Sequence, residues 1–320
     1  MKVAVTQGHE QGIGLEVFFK SALFLGHHLQ HVQLFASQEA VSRTLDSLRF
    51  PFKLLGDAVE VSGAKIPATW MRFPHSFESI ERALTYCEQS GSILFTLPTS
   101  KDQFPSHPGH TEYFRDRYHN PDLGMFFSSP DLRVLLLTDH TAIKDLPETL
   151  TEELMYRRIR LSLKTLLSWG RELPRVLVSG LNPHAGEGGL IGNEDSRIPR
   201  VLERLRLEED LIVSGPFPGD TLLLEKRSPE DVLIYLFHDQ GLGVFKGRQG
   251  FIGSNITLGM PFPRFSPDHG TSFSLFGKNQ ADYRGCAFAL KEALALRERL
   301  AHGKNSSHQS KGSQPKERRR

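Results

Sequence analysis

"RVLVSGLNPHAGEGGLIGNED", residues 175–195, begins as a strand and ends in a loop crowded with small residues. Behind the apolar run Val176-Leu177-Val178 come five glycines, three acids and a single histidine. A turn alone requires only one or two glycines. So many imply that backbone passes close to another segment or to a bound anion.

The same layout recurs along the chain. "KVAVT" at 2–6, "VQLFA" at 32–36, "SILFTL" at 92–97, "LRVLLLT" at 132–138, "RVLVSG" at 175–180 and "DVLIYLF" at 231–237 read as strands. Helical patterns run between them, over 15–25, from Ser37 onward, and over 77–89, 151–169, 196–206 and 281–300. Strands alternating with helices predict an α/β protein with largely parallel sheets. In such sheets ligands bind beyond the carboxyl ends of the strands. Three strands there offer an imidazole: His140 after 132–138, His184 after 175–180, and His238 after 231–237. Converging neutral imidazoles suit Zn²⁺ or a similar divalent ion, and three protein ligands leave a position open for chemistry.

Composition narrows the class. The chain has 320 residues, enough for about two domains. The net charge of +2 conceals an asymmetry, because the last 18 residues hold six Lys/Arg against one Glu, net +5, and the rest carries −3. That tail has no apolar periodicity and is expected to be disordered, with no role in binding nucleic acid. The two cysteines, Cys87 and Cys286, fit neither a disulfide framework nor a metal motif. "MKVAVTQG" reads as a strand and turn rather than a signal peptide, and no apolar run has membrane-spanning length, so a cytoplasmic protein without membrane partners is expected.

The segments "GLNPHAGEGGLIGNED", "GPFPGDT", "FHDQGLGVFK", "NITLGMPFPR" and "DHGT" carry more. In this order they resemble the 4-hydroxythreonine-4-phosphate dehydrogenase family of vitamin B6 biosynthesis. The likeness is close from Pro108 to Ala289 and patchier over Lys2 to Glu16. It implies two α/β/α domains with a central cleft, similar to isocitrate and isopropylmalate dehydrogenases, here residues 1–112 plus 256–302 and residues 113–255, before a basic tail at 303–320. It also implies a divalent metal (Zn, Mg or Co) on His140, His184 and His238, with substrate contacts from His110, Thr111, Lys246, Asn255 and Arg264. Lys246, Asp220 and Asp239 are the groups it puts at the chemistry, the two aspartates orienting imidazoles. The implied partners are a small phosphorylated hydroxy acid, NAD or NADP, and a second copy of the chain in a homodimer that shares the metal site.

The chain also departs from the family pattern. The first motif, "TQGHEQGIGLE", lacks two prolines and gives no G-x-G-x-x-G signal. The segment "LPTSKDQFPSHPGHTE" is shortened and lacks a His-Lys pair, retaining Lys101. This loop borders the cleft and bears on substrate choice, with threonate or erythronate 4-phosphate as alternatives. Two further classes stay open on the residues alone: a metal-dependent hydrolase using the same histidines, and a phosphate-binding protein without turnover.

Overall fold

The computed structural model describes residues 1–309 apart from 105, 106, 108, 173, 174 and 226, with backbone alone for 27 and 303–309. Its strands are β1 (Val3–Thr6), β2 (Val32–Ser37), β3 (Phe52–Leu54), β4 (Ala58–Val61), β5 (Ala64–Met71), β6 (Ile93–Phe95), β7 (Gly124–Ser128), β8 (Arg133–Leu136), β9 (Val176–Ser179), β10 (Val213–Phe217), β11 (Val232–Tyr235), β12 (Ser254–Leu258) and β13 (Arg264–Pro267). They join in one sheet of order β10-β9-β11-β8-β7-β12-β13-β6-β1-β2-β5-β4-β3.

The expected α/β class is what the chain adopts, with each expected strand present. The sheet is more mixed than expected. Two parallel blocks, β10-β9-β11-β8 and β13-β6-β1-β2-β5, are joined through antiparallel pairings at β7 and β12. An antiparallel ribbon, β3-β4-β5, closes one edge. The unanticipated strands include the longest, β5, and β13 contains Pro267 and the buried Arg264, a composition that does not read as strand.

Helices form where caps and apolar spacing agree. Ser37 accepts from the Ala40 N–H at 3.1 Å and starts Gln38–Leu48, which buries Val41, Leu45 and Leu48 on one face. Thr151 caps Glu152–Ser168 by accepting from Leu154, and Met155, Ile159 and Leu163 follow at a spacing of four. The last helix runs Arg284–Gln309, past the Gly303 at which the tail was expected to begin. The remainder of that expected tail, 310–320, lies outside the described residues.

Strand alternation sorts the two faces of the sheet and thereby locates the cleft. Phe126, Leu135, Ile256, Phe265 and Phe95 point into one large core. The opposite face carries two separate apolar clusters. One holds Leu94, Phe104, Tyr113 and Phe114 with the helix His110–Arg117, and the other holds Phe127, Leu136, Tyr235 and Phe245 with the helix His238–Gln249. On β12 and β13, which run between these clusters, the same face presents Asn255, Thr257, Arg264 and Ser266, cross-strand partners in the register Asn255↔Ser266 and Thr257↔Arg264. A polar floor flanked by two helices is the result.

Candidate active site

His140, His184 and His238 leave three adjacent parallel strands, since β11 lies between β8 and β9 with Tyr235 level with Leu136 and Ile234 level with Val178. The structure brings two of the rings together: His140 and His238 stand 6.0 Å apart between centroids. Each has its Nδ1 occupied, His140 by Glu112 at 2.7 Å and His238 by Asp239 at 2.8 Å. Both therefore keep Nε2 for another partner. Two imidazoles on one ion at about 2 Å from each nitrogen have ring centres roughly 5–6 Å apart, so this pair fits a divalent metal.

His184 is exposed, and its side chain makes no hydrogen bond or ion pair among the described residues. Among those residues the three histidines do not form a group with ligand atoms within 4.8 Å of one another, whereas Glu112, Asp139 and His140 do. The glycine loop explains its backbone. Residues 184–188 all have positive φ, from 44° at Glu187 to 77° at Gly186, a left-handed run that non-glycine residues enter at about 1–2 kcal/mol each. Buried Asp195 holds the run in place, accepting from the Leu181 N–H at 2.6 Å, the Asn182 N–H at 3.1 Å and the Asn182 side chain at 2.9 Å. At Gly180 an added Cβ would sit 2.6 Å from the Ala185 Cα and 2.9 Å from an Asp195 oxygen, so only glycine allows the loop to fold back. Gln240 ties this loop to the next strand end. Its Oε1 accepts from the Leu236 N–H and the Ser179 hydroxyl, and its amide donates to the Gly180 carbonyl.

Arg264 dominates the other side. The residue is 4% exposed, and its guanidinium donates to Thr96 at 3.0 and 2.6 Å and to Thr257 at 3.1 Å and lies over the Phe114 ring. No carboxylate among the described residues reaches ion-pair distance of it, and burial lowers its pKa to about 9. Beside it, burial and then the Arg264 charge hold the His110 imidazole well below its ordinary range. His110 Nε2 is buried without a partner, and so is Asn255 Oδ1 two residues along the floor from Thr257. Thr111 follows His110 on the same helix.

Lys246 points to Asp268, 3.4 Å away, whose carboxyl is pushed upward by burial. Asp239 is exposed against His238, and Asp220 is exposed with no hydrogen bond or ion pair among the described residues. Lys101 lies close enough to His140 for its charge to act on it. Sequence reasoning did not single out Glu112, Asp195, Gln240 or Thr96. The motifs "GHTE" and "HDQG" contain two of them, but only a contact shows what Glu112 or Gln240 holds.

The profile of the family described as "Pyridoxal phosphate biosynthetic protein PdxA" matches residues 68–293. The chain belongs to the PdxA family. A crystal structure of 4-hydroxythreonine-4-phosphate dehydrogenase from Klebsiella pneumoniae superposes with a TM-score of 0.77 at 27% identity, covering 92% of this chain and 99% of that one. The corresponding Burkholderia phymatum structure gives 0.74 at 28%, covering 92% and 97%. A protein of Oceanobacillus iheyensis, provisionally named a D-threonate 4-phosphate dehydrogenase, is 35% identical over 231 residues, 69% of each chain. Membership of the PdxA family makes the chain a dehydrogenase by relationship, in agreement with the resemblance read from its motifs. No described helix is long and apolar enough to cross a membrane.

Proposed function

We propose that the chain oxidises the secondary alcohol of 4-phosphooxy-L-threonine, the resulting β-keto acid losing CO₂, with NAD or NADP taking up the hydride and a divalent ion required. The observation that carries this reading is Arg264, a buried cation with hydroxyl partners but no described anion. A buried charge demands a counter-ion. Its planar fork suits a phosphate or carboxylate, and His110 and Asn255 leave buried polar atoms free nearby.

Arg264, His110, Thr111 and Asn255 bind and orient the anionic ends, with Lys246 supplying a further cation. His140 and His238 hold the ion through Nε2, and Asp239 fixes the tautomer of His238. The ion supplies Lewis acidity toward the substrate hydroxyl, and the nicotinamide supplies the hydride acceptor. His184 and Asp220, exposed in a single chain, are assigned to a site completed across a homodimer. The 35% identical relative favours a second reading, threonate 4-phosphate as substrate. The deciding experiment follows NADH or NADPH formation with added Zn²⁺, Mg²⁺ or Co²⁺ across phosphorylated threonine, threonate and erythronate. Turnover of none of them, in protein that binds inorganic phosphate, would leave the chain a binding protein and reject the proposal.

A further inference from the structure

Glu112 has no part in the reading above, yet its contacts assign it one. We infer that Glu112 is a positioning residue for His140, holding the Nδ1 proton so that the Nε2 lone pair faces the divalent ion. This rests on the metal reading of the proposed function. At 2.7 Å, Glu112 Oε1 is at the distance of a charge-assisted hydrogen bond to Nδ1. An ionised carboxylate only accepts, so Nδ1 carries the proton and the neutral ring keeps its lone pair on Nε2.

The alternative carboxylate is already engaged. Asp139 precedes His140 in sequence and belongs to the same cluster. Both of its oxygens are gripped by the Arg115 guanidinium, at 2.7 and 3.3 Å, so it has little left to offer the imidazole. Glu112 and Arg115 lie three residues apart on the helix His110–Arg117, and are neighbours on its surface. This short helix therefore carries His110 to the side of Arg264, Glu112 to the histidine, and Arg115 to the residue beside it. Glu112 thus ties the imidazole to the element that binds the substrate's anion.

The test is competition for Zn²⁺ against a chromophoric chelator, using the full chain with Glu112→Ala, Glu112→Gln and His140→Ala. Glu112→Ala should weaken Zn²⁺ binding about 10–100-fold. Glu112→Gln, whose carbonyl can still accept from Nδ1, should retain most of the affinity. Stabilisation by inorganic phosphate, read as a melting shift, should persist in both Glu112 variants. Equal Zn²⁺ binding by wild type and Glu112→Ala overturns the inference, as does a Gln variant as weak as Ala. Loss of the phosphate shift would mean that Glu112 supports the helix rather than the imidazole, and also overturns it. The underlying metal reading fails separately, if His140→Ala binds Zn²⁺ as tightly as wild type.

Discussion

At the scale of single residues, the buried Arg264 is the costliest feature of the site. A guanidinium surrounded by hydroxyls and a phenyl ring, with no carboxylate at ion-pair distance among the described residues, is desolvated with incomplete compensation. Arg264→Met should therefore raise the ligand-free melting temperature, or at least not lower it, while abolishing stabilisation by phosphate. Arg264→Lys should raise KM tenfold or more, because an ammonium cannot reproduce the two-pronged contact, and should leave Zn²⁺ content unchanged. An unaltered KM would remove Arg264 from substrate binding. His110 yields a pH prediction. Its pKa is depressed in the folded chain, so the unfolded chain binds more protons below the ordinary value of 6.5. This contribution to stability is flat above about pH 6.5 and falls as the pH drops below it. Urea midpoints measured from about pH 7.5 to about pH 5 should decline less steeply in His110→Gln than in wild type. Arg264 and His110 were legible as residues because their motifs survive in the sequence. That Arg264 has no anion and His110 Nε2 no partner among the described residues was not legible, since a missing partner is a property of everything nearby.

At the scale of elements, the strand-end glycine loop was readable and its fastening was not. Five glycines behind an apolar run already signalled close backbone approach. That the approach is to Ala185 and Asp195, and that the run is left-handed, is decided by the tertiary fold. Asp195→Ala strips the acceptor from two backbone N–H groups, and should cost about 2–4 kcal/mol in chemical denaturation. If Asp195 has the role described, turnover should fall further than this loss of stability explains, since His184 sits on the loop it pins. A variant with wild-type stability would refute the role given to Asp195. The missed strands β12 and β13 teach a related lesson. Each strand carries alternate polar residues on the face that forms the cleft floor, so neither looks like a core strand when read alone.

At the scale of the whole molecule, the question is where the third histidine comes from. His140 and His238 meet within one chain and His184 does not join them there. If His184 is given by a second copy, refolded mixtures of His184→Ala with either His140→Ala or His238→Ala should recover about a quarter of wild-type activity. Random pairing makes half the dimers mixed, each with one intact site. Mixing His140→Ala with His238→Ala should recover none. Failure of every pair, with subunit exchange demonstrated, would rule out a shared site. The carboxyl-terminal helix offers a second check. The buried residues among its described side chains run from Cys286 to Leu296, and truncation at Gly303 should leave melting temperature and turnover unchanged.

The alternation of apolar runs with helical spacing determined the α/β class, because burial on both faces leaves its mark in each strand separately. The histidines at three strand ends and the family motifs were equally local, each readable within a dozen residues. What the tertiary structure alone decided was convergence. The order β9-β11-β8 makes neighbours of strand ends that lie more than forty residues apart in sequence. The antiparallel step at β7 and β12 turns a polar face toward two flanking helices, and pairing Thr257 with Arg264 buries a cation. Such pairings depend on which strand lies beside which, a choice set by the packing of the whole chain.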